Sequence, residues 1–123
     1  MRKSFILLAI GIVAMLCGCG KERKVYSKGD PDADLQQCIK YSEKKQFEEA
    51  IECLEVFKSR FPGSEHGQTA ELRIGDAYFR KKDYLLAADS YVTFTKLHPN
   101  HPQADYAYYR LGVVRVELRE RHI

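Results

Sequence analysis

Ile74-Gly75-Asp76-Ala77-Tyr78-Phe79-Arg80-Lys81-Lys82-Asp83-Tyr84 opens the stretch that decides the fold, and Ala87, Tyr91, Phe94 and Pro99 complete it. Its residue types recur at one offset. Tyr41 and Tyr78 are 37 residues apart, as are Ala50 and Ala87, Phe57 and Phe94, Pro62 and Pro99, Gly75 and Gly112, and Ile74 and Leu111. Six pairs at a single spacing mark an internal repeat, and a period of this size points to a stacked array. The residue types suit pairs of antiparallel helices. Gly75 and Ala87 are small enough to let two helices approach, Tyr78, Tyr91 and Phe94 fill the wider gaps, and Pro62 and Pro99 stop each second helix. From Asp32 onward nothing alternates as a strand does. Helices are expected at 33–45, 47–60, 67–82, 84–97 and 103–120, with tight turns at Lys45-Gln46 and Lys82-Asp83 and with Asp83 as an N-cap. The expected fold is all-α, a right-handed superhelical array of about two and a half repeats (31–67, 68–104 and a partial 105–123) in a domain spanning 33–123.

The first residues read differently. Met1-Arg2-Lys3 is a positive start, Phe5 to Leu16 is apolar apart from Gly11, and small residues follow. That is the pattern of an export signal. As a helix, Phe5–Gly20 would extend about 24 Å, short of the roughly 30 Å of a bilayer core. Leu16-Cys17-Gly18-Cys19 resembles the bacterial lipobox, which implies cleavage after residue 18 and acylation of Cys19. Several acyl chains anchor a protein firmly, and Gly20 after the cysteine implies sorting to the outer membrane. Residues 19–32 are expected to form a polar tether between lipid and domain.

Composition closes off other classes. Two of the 20 basic residues, Arg2 and Lys3, lie in the export signal, where no acid occurs; the rest of the chain sets 18 basic against 17 acidic residues. So balanced a body lacks the basic stripe of a nucleic-acid binder. His98-Pro99-Asn100-His101 has a spacing that zinc could use, yet no cysteine or acidic cluster accompanies it,. No glycine-rich phosphate loop follows a strand, and Ser59 and Ser90 lack a paired His and acid. No enzyme, metal site or cofactor is expected.

The order Ile74, Gly75, Tyr78, Ala87, Tyr91, Phe94, Pro99 resembles the tetratricopeptide repeat, with the additional residues of each unit in the loops after the prolines. A closer resemblance rests on Leu97-His98-Pro99-Asn100-His101-Pro102-Gln103-Ala104-Asp105-Tyr106-Ala107-Tyr108-Tyr109-Arg110-Leu111-Gly112, supported by Gln46-Phe47-Glu48-Glu49-Ala50-Ile51-Glu52 and Arg60-Phe61-Pro62. These are similar to the BamD family, outer-membrane lipoproteins of the β-barrel assembly machinery. The resemblance covers about residues 33–117 and implies the N-terminal half of a longer array. It implies as partners unfolded β-barrel outer membrane proteins, barrel-assembly subunits (docked in the family through a C-terminal half without counterpart here), and a membrane reached through the lipid anchor. The alternative is another periplasmic repeat lipoprotein, a structural or coordinating scaffold in envelope, division or pilus biogenesis.

In such arrays the first helix of each repeat lines the concave side. The repeat offset then groups Gln36, Arg73 and Arg110 in one column, Leu35, Leu72 and Tyr109 in a second, and Ile39, Asp76 and Val113 in a third. Phe79 and Arg80 lie at the far end and Tyr106 near the start. The expectation is an apolar strip beside two guanidinium groups, suited to an extended segment with aromatic side chains and a carboxylate. Cys38 and Cys53 lie seven residues on either side of the Lys45-Gln46 turn. An oxidising compartment permits a bridge where Cα atoms come within about 7 Å. Two buried thiols packing as small hydrophobes are the simpler expectation, with the disulfide left open.

Overall fold

A computed structural model describes residues 29–122. Among these residues there are five α-helices and no strand: α1 (Pro31–Glu43), α2 (Phe47–Arg60), α3 (Glu65–Lys81), α4 (Tyr84–Leu97) and α5 (Ala104–Arg121). Each packs on the next, and α1 also touches α3. The all-α repeat array expected from the 37-residue offset is therefore the architecture found. The export signal, Cys19 and the tether up to residue 28 lie outside the described residues.

Local chemistry sets the helix ends. Asp30 caps α1, its carboxylate accepting from the Asp32 amide at 3.0 Å, and Pro31 occupies the first helical position, where its missing N–H costs nothing. This helix thus starts two residues before the expected 33. Likewise α3 starts at Glu65 rather than 67, because the Ser64 hydroxyl accepts from the Gly67 amide at 3.0 Å,. The joints between repeats lie at 61–64 and 98–103, so the expected boundaries after residues 67 and 104 fall just inside the helices that follow.

The two hairpin turns repeat one another bond for bond. Lys45 (φ 61°) and Lys82 (φ 69°) both take the left-handed conformation. Gln46 and Asp83 amides donate to the carbonyls of Tyr41 and Tyr78, each at 2.9 Å, and Lys45 and Lys82 amides donate to those of Ser42 and Phe79. This paired closure is the Schellman motif, here with lysine where glycine is usual. Asp83 stands at the N-cap of α4 but offers no side-chain cap; its carbonyl instead accepts from the Ala87 amide at 3.0 Å. At the other ends, Phe61 and His98 amides donate to Phe57 and Phe94 carbonyls, one residue before each proline.

The core has two parts, with α3 between them. Leu35, Cys38, Leu54, Phe57, Ala70 and Ile74 form the first, and Leu72, Tyr84, Ala87, Tyr91, Phe94, Ala107, Leu111 and Val114 the second. Ala50 and Ala87 are fully buried, as expected of residues at helix crossings. Glycine at 75 has a steric reason: a Cβ there would lie 2.9 Å from Tyr91 Cε1 and 3.3 Å from Ser90 Cβ. At the equivalent Gly112 a Cβ would meet nothing within 4 Å.

In the first hairpin the equivalents of Gly75 and Ser90 are Cys38 and Cys53. They are bridged, with Cα atoms 5.3 Å apart. The simpler expectation of two free thiols gives way to the disulfide, because the crossing brings the two Cα atoms well within the roughly 7 Å that a bridge needs,.

Candidate functional site

The face shared by the first helices of each repeat carries most of the residues singled out in the sequence. Two of them turn away from it. Leu35 and Leu72 are buried in the first and second cores, packed among residues of the two helices that follow each, so they cannot line a groove, while Tyr109 at the same offset is 66% exposed. Gln36 is exposed, and Ile39 and Val113 are half-buried.

Arg73, Asp76, Tyr106 and Arg110 come together, but not as an open pair of guanidinium groups. Asp76 stands between them. Arg73 Nη1 donates to Asp76 Oδ2 at 2.8 Å, and the Tyr106 hydroxyl donates to Asp76 Oδ1 at 3.0 Å. Arg110 Nε donates to the Tyr91 hydroxyl at 3.3 Å and lies 3.7 Å from Asp76 Oδ1. The Arg110 guanidinium also lies over the Phe79 ring, 3.8 Å from its centroid, a favourable placement for a cation. Phe79 in turn packs against Tyr84. Arg80, at the far end, reaches back to the first repeat: it donates to Ser42 Oγ at 3.1 Å and lies over Phe47.

Tyr91 is the member of this cluster that the sequence did not single out as polar. It is fully buried, and its hydroxyl donates to Asp76 Oδ1 at 2.7 Å. Burial, then the Asp76 carboxylate, pushes its hydroxyl well above the ordinary tyrosine range. The same two causes raise Tyr106. Both therefore stay protonated donors, and Asp76 receives three short hydrogen bonds. A signal for this existed in the repeat alignment, where Asp76 and Tyr91 replace Ile39 and Leu54 of the first unit together.

Chemically, the cluster is a carboxylate tied to three helices, α3, α4 and α5, with two cations and one carboxylate in all. Each guanidinium has five N–H groups, and the contacts above use Nη1 of Arg73 and Nε of Arg110. Further donors remain, and the exposed ring of Tyr106 lies 5.9 Å from the Arg110 guanidinium. The two loop histidines pack on the second core. His98 and His101 rings each lie 5.2 Å from the Phe94 centroid, and His98 Nε2 is 2.7 Å from Glu71 Oε2.

A family model described as "outer membrane lipoprotein", YfiO, matches residues 29–123. The chain belongs to the YfiO family. Similar relatives within this group carry the name outer membrane protein assembly factor BamD. That of Neisseria meningitidis serogroup B is 31% identical over 93% of this chain and 44% of its own length. Those of Vibrio cholerae and Pasteurella multocida are 25% and 26% identical over 85% and 98% of this chain. The chain spans less than half the length of these relatives. Among the described residues, no helix is long and apolar enough to cross a membrane.

Proposed function

We propose that this YfiO-family chain is a protein-binding scaffold, not an enzyme, in the assembly of β-barrel outer membrane proteins, held at the periplasmic face of the outer membrane by a lipid on Cys19. The name shared by its relatives, assembly factor, supports the process. The observation that carries the binding role is the face of α3 and α5. There the exposed ring of Tyr106 lies beside the guanidinium group of Arg110, Arg73 shares the Asp76 carboxylate with it, and Tyr109 exposes a second ring on α5; the remaining guanidinium N–H groups suit a carboxylate,. The ligand is the C-terminal strand of an unfolded barrel protein, a segment with aromatic side chains and a terminal carboxylate.

The test compares a barrel-derived C-terminal peptide with its C-terminal amide, by fluorescence anisotropy. A lost charged hydrogen bond is worth about 1.5–3 kcal/mol, so the amide should bind at least about tenfold more weakly. Tyr109→Ala should weaken both peptides, since it removes an exposed ring without touching the core. Equal affinity for acid and amide would remove the guanidinium groups from the site. Anchoring is tested by intact mass: membrane-extracted protein should start at Cys19 and carry a lipid adduct, and an unlipidated mature chain starting elsewhere would contradict it.

A further inference from the structure

α1 buries the fewest apolar side chains of the five helices. Its fully buried apolar side chains are Leu35 and Cys38; its other buried positions, Asp34 and Ser42, are polar. By contrast α4 buries Tyr84, Ala87, Tyr91 and Phe94. At 13 residues, α1 is too short to persist undocked in water,. What it has instead is the covalent link from Cys38 to Cys53 of α2.

We infer that this link is a latch installed on α1 by a disulfide-donating thiol oxidase, and that docking of α1 depends on it. Two observations place it there by construction. Cys38 and Cys53 occupy a helix crossing whose counterpart in the next hairpin is close on independent grounds: a Cβ on Gly75 would lie 3.3 Å from Ser90 Cβ, where bridged cysteines have Cβ atoms about 3.5–4.5 Å apart. Secondly, the latch sits on the helix that has least apolar packing to hold it.

The installing reaction is thiol–disulfide exchange. Cys53 is half-buried whereas Cys38 is 2% exposed, so Cys53 is the sulfur an oxidase reaches. The Cys53 thiolate attacks the oxidase disulfide and forms a mixed disulfide, releasing one oxidase thiolate. The Cys38 thiolate then attacks Cys53 Sγ and displaces the second. The chain loses two protons and two electrons, and the oxidase disulfide becomes a dithiol. Such a bridge persists only in an oxidising compartment.

The consequence is local. α1 carries Gln36 and Ile39, and Ser42 receives the hydrogen bond from Arg80. Reduction leaves both sulfur atoms in place, so it removes the constraint and not the packing. For cysteines 15 apart in sequence, the loop constraint shifts an opening equilibrium on the order of 100-fold.

The experiment uses the full chain and hydrogen exchange read by mass spectrometry, with and without reductant. Amides of α1 should exchange on the order of 100-fold faster after reduction, with α4 and α5 unchanged. Equal α1 protection in both states would overturn the latch. For installation, exported Cys38→Ala should accumulate as a reductant-sensitive mixed disulfide through Cys53, and Cys53→Ala should accumulate far less. Alkylation of both cysteines in denatured, unreduced protein taken from the oxidising compartment would overturn the bridge itself, whatever the ligand-binding face does.

Discussion

The two hairpins share a backbone and differ in what ties them together. Their turns have the same left-handed lysine and the same pair of closing hydrogen bonds, and their second helices end in the same way before a proline. Both crossings bury an alanine completely, Ala50 in the first and Ala87 in the second. At the tying positions the residues diverge. Cys38 and Cys53 give way to Gly75 and Ser90, Ile39 and Leu54 to Asp76 and Tyr91, Ser42 to Phe79, and Thr69 to Tyr106. The first hairpin is held by an apolar core and one covalent bond; the second, with the helix after it, by a larger aromatic core and a half-buried carboxylate. Small residues and turn chemistry thus specify the geometry, while a few other columns choose the means of holding it.

The largest expected effect comes from removing the polar tie. Asp76→Ala leaves Tyr91, Tyr106 and two guanidinium groups without their shared acceptor, and losing several hydrogen bonds to one half-buried charge costs about 3 kcal/mol,. Urea denaturation checks it; a loss under about 1 kcal/mol would mean the cluster does not hold α3, α4 and α5 together. Next are Ala50→Leu and Ala87→Leu, each overpacking a crossing at a cost of about 1–3 kcal/mol. Similar losses would confirm that the crossings are equivalent, and an unchanged melting temperature in either would break the repeat register.

Tyr91→Phe removes one of three donors to Asp76, worth about 1.5 kcal/mol, and separates the hairpins by pH. In the folded protein the Tyr91 and Tyr106 hydroxyls are held above the ordinary tyrosine value of 10.0. Their protonated forms therefore contribute stability that is fully present below about pH 10 and is lost as the pH rises toward the folded values. Melting temperatures measured from pH 8 to 11 should fall at the alkaline end, less steeply in Tyr91→Phe. The smallest effect is a gain: Lys45→Gly and Lys82→Gly relieve a left-handed non-glycine residue, each stabilising by about 1 kcal/mol or less. Opposite signs at the two sites would show that the turns are not alike.

The fold was legible because its signal is spacing. One offset located the crossings, the turns and the prolines, and the helix ends fell within two residues of those observed. The misses at 31 and 65 came from Asp30 and Ser64, whose capping role depends on where the chain bends before the helix. The face was less legible. A column assignment says which side of a helix a Cα lies on, not whether the neighbouring helix covers it, and so it sends Leu35 and Leu72 to the groove although both are buried in the cores. Nor does it say where a long side chain ends; Arg73 and Arg110 converge on Asp76 because the second repeat has placed a carboxylate and a tyrosine where the first has isoleucine and leucine. The bridge depended on a distance, the 5.3 Å between Cα atoms, that two cysteines equidistant from a turn do not disclose.

The claim that one backbone is tied in two separable ways is tested most directly by hydrogen exchange on three samples: oxidised protein, reduced protein, and oxidised Asp76→Ala. Reduction should expose the amides of α1 and leave α5 protected, while Asp76→Ala should expose the amides of α5 and leave α1 protected. If either change instead loosens α1 and α5 together, the two ties act as one and the account is contradicted.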